Sequence, residues 1–201
     1  MLITQLKNKD EILPLLKGKI LLISCLGCKE LYFPLKEVNE FKEELKKGKE
    51  IVDDIVTDYL CNPEYFKPRF EKHKNKIDSS DSILIFSCGV GMQTLSEHLS
   101  PKITYAGCDT MFIPGFQGVT ALEYDCDQCG ECLLNYTGTI CPITSCSKSL
   151  LNGPCGGAKN GKCEVDKNMD CGWEKIFKKL EKSGQTNKVK DLVKLRNYTK
   201  S

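Results

Sequence analysis

The sequence predicts an α/β protein with an irregular cysteine-rich module attached to it. Apolar segments of strand length alternate with helical segments through residues 1–120, and eight of the 13 cysteines fall between 126 and 171. Helical periodicity resumes at Trp173. We therefore expect an N-terminal open parallel-sheet domain over 1–120, a cysteine-rich module over 121–172 and a C-terminal helical tail over 173–201.

The first 120 residues contain both kinds of segment in regular alternation. Short apolar runs predict strands, and apolar residues three or four positions apart predict helices. The predicted strands are 18–24, 51–58, 80–87 and 102–107, and the predicted helices are 34–49, 62–77 with a break near Pro68, and 91–100. Because strands that alternate with helices pair in parallel, the sequence predicts an open, Rossmann-like sheet.

Composition argues against several classes of protein. The net charge of +2 does not indicate a nucleic-acid-binding protein. The sequence contains no run of 18 apolar residues, so no membrane span is predicted. The N-terminal segment is interrupted by Asp10, Glu11 and Pro14, so it lacks the apolar core of a signal peptide. We therefore expect a cytoplasmic protein, in which disulfides are rare and clustered thiols are more often metal ligands.

A cysteine follows each of the four predicted strands. Cys25, Cys61, Cys88 and Cys108 stand at or just past the carboxyl ends, and Cys28 follows Cys25 in the first loop. Because ligands bind at this edge of an open α/β sheet, the thiols are predicted to converge on one metal site. The alternative is that small apolar thiols fill the ends of buried strands.

The cysteine-rich segment begins with a regular run of three cysteines. Cys126, Cys129 and Cys132 have the C-x2-C-x2-C spacing of ferredoxin-type iron–sulfur ligands. The Cys141-Pro142 pair is similar to the end of that motif, but eight residues separate Cys132 from Cys141 where the motif has three. The fourth ligand therefore stays open among five candidates: Cys141, Cys146, Cys155, Cys163 and Cys171.

Three kinds of cross-link could stabilise a segment with so few apolar residues. Disulfides are disfavoured by the expected compartment, and zinc modules usually contain two C-x2-C pairs separated by a spacer. We expect two or more 4Fe–4S clusters, with zinc open at one of the sites. Twelve of the 13 cysteines would suffice for three sites of four thiolates: Cys25, Cys28, Cys61, Cys88, Cys126, Cys129, Cys132, Cys141, Cys146, Cys155, Cys163 and Cys171.

The order of motifs over residues 126–180 resembles a known family. The motifs are C-x2-CG-x-C, TG-x-ICP, LLNGPCGG and G-x-CEV, and weaker similarity lies upstream in SCLGC, YLC, SCGVGMQT and DTMFIPG. They resemble the small iron–sulfur subunit that accompanies the flavin-containing methylenetetrahydrofolate reductase of acetogenic bacteria, a sequence type also found as a methylenetetrahydrofolate reductase C-terminal domain. Cys108 stands where the family pattern has no cysteine, which lowers its weight as a ligand.

The resemblance implies an electron-transfer subunit of an oxidoreductase complex. The partner would be a TIM-barrel subunit that holds FMN and reduces 5,10-methylenetetrahydrofolate to 5-methyltetrahydrofolate. This chain would pass electrons to that flavin from ferredoxin, from NADH through further subunits, or from a heterodisulfide-reductase-like assembly. The alternative is a zinc-binding scaffold subunit that stabilises or positions the catalytic flavoprotein.

No side chains form a convincing catalytic constellation in the sequence. His73 lies in a charged segment and is interpreted as solvated, and His98 is expected to cap or pack near a helix end. The neighbours Asp53 and Asp54 do not share a helix face, so they are interpreted as surface charge. The sequence therefore favours electron transfer over catalysis by this chain's own side chains.

The tail carries nine basic against three acidic residues. This charge is interpreted either as a capping helix with a solvated basic end or as a docking surface for the flavoprotein or an acidic donor. Apolar residues form two stripes at helical spacing, first Trp173, Ile176, Phe177 and Leu180, and then Val189, Leu192 and Val193 with Arg196.

Overall fold

The computed structural model of the chain describes residues 2–28, 31–111, 125–190 and 194–197. The strands in these residues are β1 (Leu2–Leu6), β2 (Ile20–Cys25), β3 (Leu31–Tyr32), β4 (Ile51–Thr57), β5 (Ser82–Phe86), β6 (Thr104–Ala106) and β7 (Cys108–Met111). The helices are α1 (Lys9–Ile12), α2 (Leu35–Gly48), α3 (Pro63–Lys72), α4 (Lys74–Ser79), α5 (Gly89–His98), α6 (Pro142–Ser145) and α7 (Gly172–Lys182), and a 3-10 helix spans Thr186–Val189. None of the helices described is both long and apolar enough to cross a bilayer.

Four strands form a fully parallel sheet in the order β4–β2–β5–β6. Ile23 of the central strand β2 aligns with Ile55 of β4 on one side and with Ile85 of β5 on the other. Helices connect the successive strands, which confirms the predicted α/β architecture. Because all four strands run in the same direction, their carboxyl ends lie along one edge of the sheet.

Both faces of this sheet are buried. Leu21 of β2 packs with Leu95 of α5 in the core on one face, whereas Leu22 packs with Phe41 of α2 in the core on the other. A strand that is buried on both faces reads as a continuous apolar run, which is why β2 and β5 were visible in the sequence. Helices α2 and α5 consequently lie on opposite faces of the sheet.

A second, three-stranded sheet has the order β3–β1–β7, with β1 parallel to β3 and antiparallel to β7. Thr4 pairs with Thr110, and Leu6 pairs with Cys108. The sequence analysis assigned none of these strands, because each is short and contains no sustained apolar run. The pairing brings the N-terminal segment next to the cysteine-rich module.

The cysteine-rich module packs directly on the α/β domain. Leu134 is buried in the same core as Leu21 and Leu95. The side-chain amide of Asn135 accepts a hydrogen bond from the N–H of Ala106 at 2.6 Å and donates one to the carbonyl of Ala106 at 3.1 Å. The module is thereby anchored on β6, and its predicted boundary between residues 120 and 121 lies outside the described residues.

The predicted helix over 62–77 does not break near Pro68, so this prediction was wrong. The helix α3 continues through Pro68, with Phe66 and Phe70 buried against the sheet on either side of it. Proline removes one backbone hydrogen bond, and the burial of the two rings offsets that loss. The break comes at His73, whose φ of −102° and ψ of 9° are not helical.

The side chains that were excluded as catalytic groups have structural partners. The ring of His98 packs edge-on against Phe66, with 5.2 Å between the ring centroids. Asp53 and Asp54 each form an ion pair with a lysine of a neighbouring helix. These contacts agree with a packing role for the histidine and with surface charge for the two carboxylates.

The tail begins with the amphipathic helix α7. Trp173, Ile176 and Leu180 are buried, whereas Phe177 lies at the edge of the same face and is 38% exposed. In the second predicted stripe, Leu192 and Val193 lie outside the described residues. The other two members have partners elsewhere: Val189 packs against the cluster of α7, and Arg196 pairs with Asp127.

Candidate metal centre

The first group of thiols lies at the carboxyl edge of the parallel sheet. We call it the N-terminal thiol group, and it consists of Cys25, Cys28, Cys61 and Cys88. Its members come from the ends of β2, β4 and β5 and from the loop after β2. These three strands are neighbours in the sheet, so their loops meet at one place.

The thiols of this group interact electrostatically. Burial raises the pKa of Cys25 to about 12. The charges of Cys88, Cys61 and Cys28 add to this shift, whereas a hydrogen bond from the N–H of Leu60 opposes it. Burial, followed by the charge of Cys28, also raises the pKa of Cys61. Thiolates this close repel one another, so a fully deprotonated group needs a bound cation.

A cavity is lined by a second set of thiols, which we call the central thiol group: Cys126, Cys129, Cys132 and Cys141. The structure thus brings Cys141, out of the five candidates, to the three cysteines of the run. Two side chains of the α/β domain hold the backbone of this group. Asp109 accepts a hydrogen bond from the N–H of Cys132 at 2.7 Å, and Gln93 accepts one from the N–H of Cys141 at 2.9 Å.

Backbone hydrogen bonds oppose the upward pKa shift of three thiols of the central group. Each comes from the residue two positions further on: Gln128 for Cys126, Glu131 for Cys129 and Leu134 for Cys132. The turns need left-handed backbone, with φ of 54° at Gln128 and 70° at Gly130. Hydrogen bonds of this kind favour the thiolate, and in iron–sulfur proteins they tune the reduction potential.

The N-terminal and central groups adjoin at the start of α5. Cys88 belongs to the first group, and Gly89 directly follows it and lines the cavity of the second. A Cβ atom at Gly89 would lie 2.8 Å from the sulfur of Cys126, so glycine is needed for this approach. Burial raises the pKa of Cys126 to about 12, and the charge of Cys88 contributes to the shift.

Four further cysteines line a separate cavity, and we call them the C-terminal thiol group: Cys146, Cys155, Cys163 and Cys171. The N–H of Cys163 donates to the carbonyl of Met169 at 2.9 Å, and the N–H of Cys171 donates to that of Gly161 at 2.8 Å. This group is more accessible than the other two, because Cys155 is exposed. A hydrogen bond from the Ser147 hydroxyl lowers the pKa of Cys163.

Each thiol group contains one cysteine that immediately precedes a helix. Cys88 precedes α5, Cys141 precedes α6 and Cys171 precedes α7. The first N–H groups of a helix have no partner within it, and the dipole places positive charge there. At the start of α5, hydrogen bonds from backbone N–H groups oppose the burial that raises the pKa of Cys88.

A buried ion-pair network lies beside the central thiol group. The side chain of Lys7 is 3% exposed, and its Nζ atom lies 2.9 Å from Asp109 and 3.0 Å from Glu11. Burial lowers the pKa of Lys7, but attraction to Asp109, Cys132 and Glu11 outweighs burial, and the net shift is upward. Lys7 therefore stays charged and places a positive charge next to Cys132.

The type and number of donors in each thiol group are those of an iron–sulfur cluster or of a structural zinc ion. Every cysteine lies in the described part of the chain, and each is a free thiol. Each group offers four thiolates, which is the ligand number of both kinds of centre. Within the described residues, no three Cys, His, Asp or Glu side chains are arranged to hold a single metal ion.

Cys108 belongs to none of the three thiol groups and lines neither of the two cavities. It is buried in the core that contains Phe41 and Phe86, and burial raises its pKa. We expect Cys108→Ala to leave the metal content of the purified protein unchanged and to lower the free energy of unfolding by about 1 kcal/mol, as for loss of one buried heavy atom. Metal analysis and urea denaturation check this prediction, and loss of metal in the variant would contradict it.

Four residues around the central group were not predicted as functional candidates: Lys7, Gln93, Asp109 and Thr110, whose hydroxyl accepts a hydrogen bond from the N–H of Gly89 at 2.9 Å. Three of them lie in motifs that were noted only for their resemblance, Gln93 in SCGVGMQT and Asp109 and Thr110 in DTMFIPG. Closer attention to the polar residues of those motifs could have identified them. Lys7 has no local signal, because its role depends on a strand pairing that is remote in sequence.

A family model agrees with the resemblance described from the motifs. The model, described as methylene-tetrahydrofolate reductase C terminal, matches residues 105–199. The match begins in β6 and includes the central and C-terminal thiol groups and α7. Comparison with curated proteins and with solved structures gave no match. Residues 105–199 of this chain are therefore similar to the methylene-tetrahydrofolate reductase C-terminal family.

Proposed function

We propose that this chain is a cytoplasmic iron–sulfur subunit that delivers electrons to the FMN of a TIM-barrel methylenetetrahydrofolate reductase subunit. One observation carries the proposal: twelve of the 13 thiols fall into three groups of four. The family match supports the link to methylenetetrahydrofolate reductase. In this proposal the chain has no catalytic residues of its own, and the folate is reduced on the partner.

Iron–sulfur clusters, when bound, would supply one-electron transfer. The residues of this chain would hold the clusters, limit water and adjust their charge. The burial of Cys25 and the partial burial of Cys132 keep two groups partly dry. The three thiol groups also follow one another in space. Gly89 lies between Cys88 of the N-terminal group and Cys126 of the central group, and α6 separates Cys141 of the central group from Cys146 of the C-terminal group.

Anaerobic purification followed by iron, sulfide and zinc analysis tests this proposal. We expect a brown protein with iron and sulfide in equal amounts and at least two clusters per chain. A reducible paramagnetic signal should accompany them. A colourless protein that holds zinc without iron would overturn the electron-transfer function and leave the zinc-binding scaffold.

Zinc in the C-terminal thiol group is a second candidate for that group alone. Its cysteines lie in an irregular segment whose nearby core contains only three fully buried side chains, Trp173, Ile176 and Leu180. A segment with so little apolar burial is typical of modules that a structural zinc ion stabilises. One zinc ion per chain together with two clusters would support this arrangement.

The variant Cys129→Ser tests the central group. We expect it to lose or damage one cluster and to slow reduction of the flavin in the complex, because serine is a poor ligand for iron in such clusters. Binding of flavin by the partner should be unchanged. Cys108→Ala is the matched control, since it removes a thiol outside the groups. Full flavin reduction with one cluster fewer would show that the central group is not on the electron route.

A further inference from the structure

A groove lined by lysines runs along α7 and opens close to the central thiol group. Four lysines at helical intervals form one wall, and Glu97 and Asp125 are the carboxylates among the lining residues. Basic groups therefore outnumber acidic groups, and most other lining residues are polar. We call this surface the lysine groove and define it by Lys175, Lys178, Lys179 and Lys182.

Three lysines of the groove are available to an incoming partner, whereas Lys179 is 19% exposed and pairs with Glu97 at 2.6 Å. Lys175 and Lys178 are exposed and form ion pairs with Asp170 at 3.3 Å and Glu174 at 3.8 Å. Exposed pairs of this kind contribute little to stability, so their ammonium groups can exchange one carboxylate for another. Lys182 is also exposed.

The base of the groove reaches the central thiol group through one side chain. The amide nitrogen of Gln93 donates to the carbonyl of Asp125 at 3.0 Å, and its amide oxygen accepts from the N–H of Cys141 at 2.9 Å. Asp125 in turn directly precedes Cys126. A protein that rests on the groove would therefore lie one side chain away from the backbone of two proposed ligands.

We propose that the lysine groove docks an acidic one-electron carrier protein, an inference that rests on the proposed electron-transfer function. The reduced carrier would lose one electron, and the cluster held by the central thiol group would gain it. Transient redox partners meet on small, charged surfaces that steer their association. The permanent flavoprotein subunit would need a larger and more apolar interface than this polar groove offers.

The test uses charge reversal at two exposed positions of the groove, Lys178→Glu with Lys182→Glu. The probe is an acidic two-cluster bacterial ferredoxin, which is mixed in its reduced form with the oxidised protein by stopped flow. We expect the double variant to be reduced about tenfold more slowly at low ionic strength, with the difference shrinking as salt is added. Binding of the oxidised ferredoxin, measured separately, should weaken in the same way.

The matched control is Lys36→Glu with Lys47→Glu, two exposed lysines of α2 on the opposite face of the sheet. It makes the same change in net charge and should slow the reaction less than about twofold. Equal rates for the two double variants would overturn the docking site. The iron and sulfide content distinguishes failure of the proposed electron-transfer function from failure of the docking site. A parent protein without iron refutes the electron-transfer function. In that case, binding of the oxidised ferredoxin to the parent and variant proteins still tests the groove.

Discussion

Replacing Lys7 with methionine is expected to lower the free energy of unfolding by about 3–5 kcal/mol, because the change leaves a buried carboxylate without its cation. Methionine has a similar length and no charge, so packing is largely kept. Asp109 would remain, with its side chain 12% exposed and 2.7 Å from the N–H of Cys132. Urea denaturation of the parent and variant proteins measures the difference.

The control for this prediction is Lys9→Met. Lys9 is also paired with a glutamate, Glu44, but its side chain is 43% exposed, so loss of the pair should cost no more than about 1 kcal/mol. Adding Asp109→Asn to Lys7→Met should recover part of the lost stability, since no unpaired charge then remains at that position. Equal costs for Lys7→Met and Lys9→Met would show that the buried network does not stabilise the fold.

The same variant has a second readout that a purely structural lysine would not move. Lys7 lies close enough to Cys132 for its charge to lower the pKa of that thiol against the larger effect of burial. A nearby positive charge favours the more negative, reduced state of an iron–sulfur centre. Lys7→Met should therefore lower the reduction potential of one cluster, measured by redox titration with paramagnetic resonance.

The parallel sheet could be predicted from the sequence because three of its four strands, β2, β5 and β6, are buried on both faces. Each of the four predicted strands is a strand in the structure, and helices lie between them where the spacing of apolar residues predicted helices. The meeting of Cys25, Cys61 and Cys88 was also predictable, since the carboxyl ends of neighbouring parallel strands lie at one edge. The inference needed only strand direction and the position of each cysteine relative to its strand.

The sorting of the other cysteines could not be predicted, because an irregular segment has no periodicity that fixes which residues meet. The five candidates for a fourth ligand were equivalent in the sequence. Their separation depends on α6, a helix of four residues that places Cys141 on one cavity and Cys146 on another. Lys7 was missed for a related reason, since only the antiparallel pairing of β1 with β7 brings it to Asp109.

Truncation of Trp173 to alanine is the second change with a large expected effect. The side chain is 1% exposed and packs against Cys146 and Cys171 of the C-terminal thiol group. Its ring nitrogen donates to the carbonyl of Leu150 at 2.9 Å. We expect a loss of about 3–5 kcal/mol from the cavity and the lost apolar burial. Urea denaturation of the metal-loaded protein measures this loss.

The same truncation should also release metal from the C-terminal group at a lower chelator concentration, because Trp173 is a wall of that cavity. Trp173→Phe keeps most of the apolar contact and removes the hydrogen bond to Leu150, so it should cost only about 1–2 kcal/mol. Phe177→Ala is the control on the same helix, because its ring is 38% exposed and its loss should cost less stability.

If Trp173→Ala weakened the fold but left metal retention unchanged, the tryptophan would stabilise α7 without supporting the thiols. Metal loss confined to this group would instead show that α7 and the C-terminal thiol group fold as one unit, which their shared apolar contacts predict.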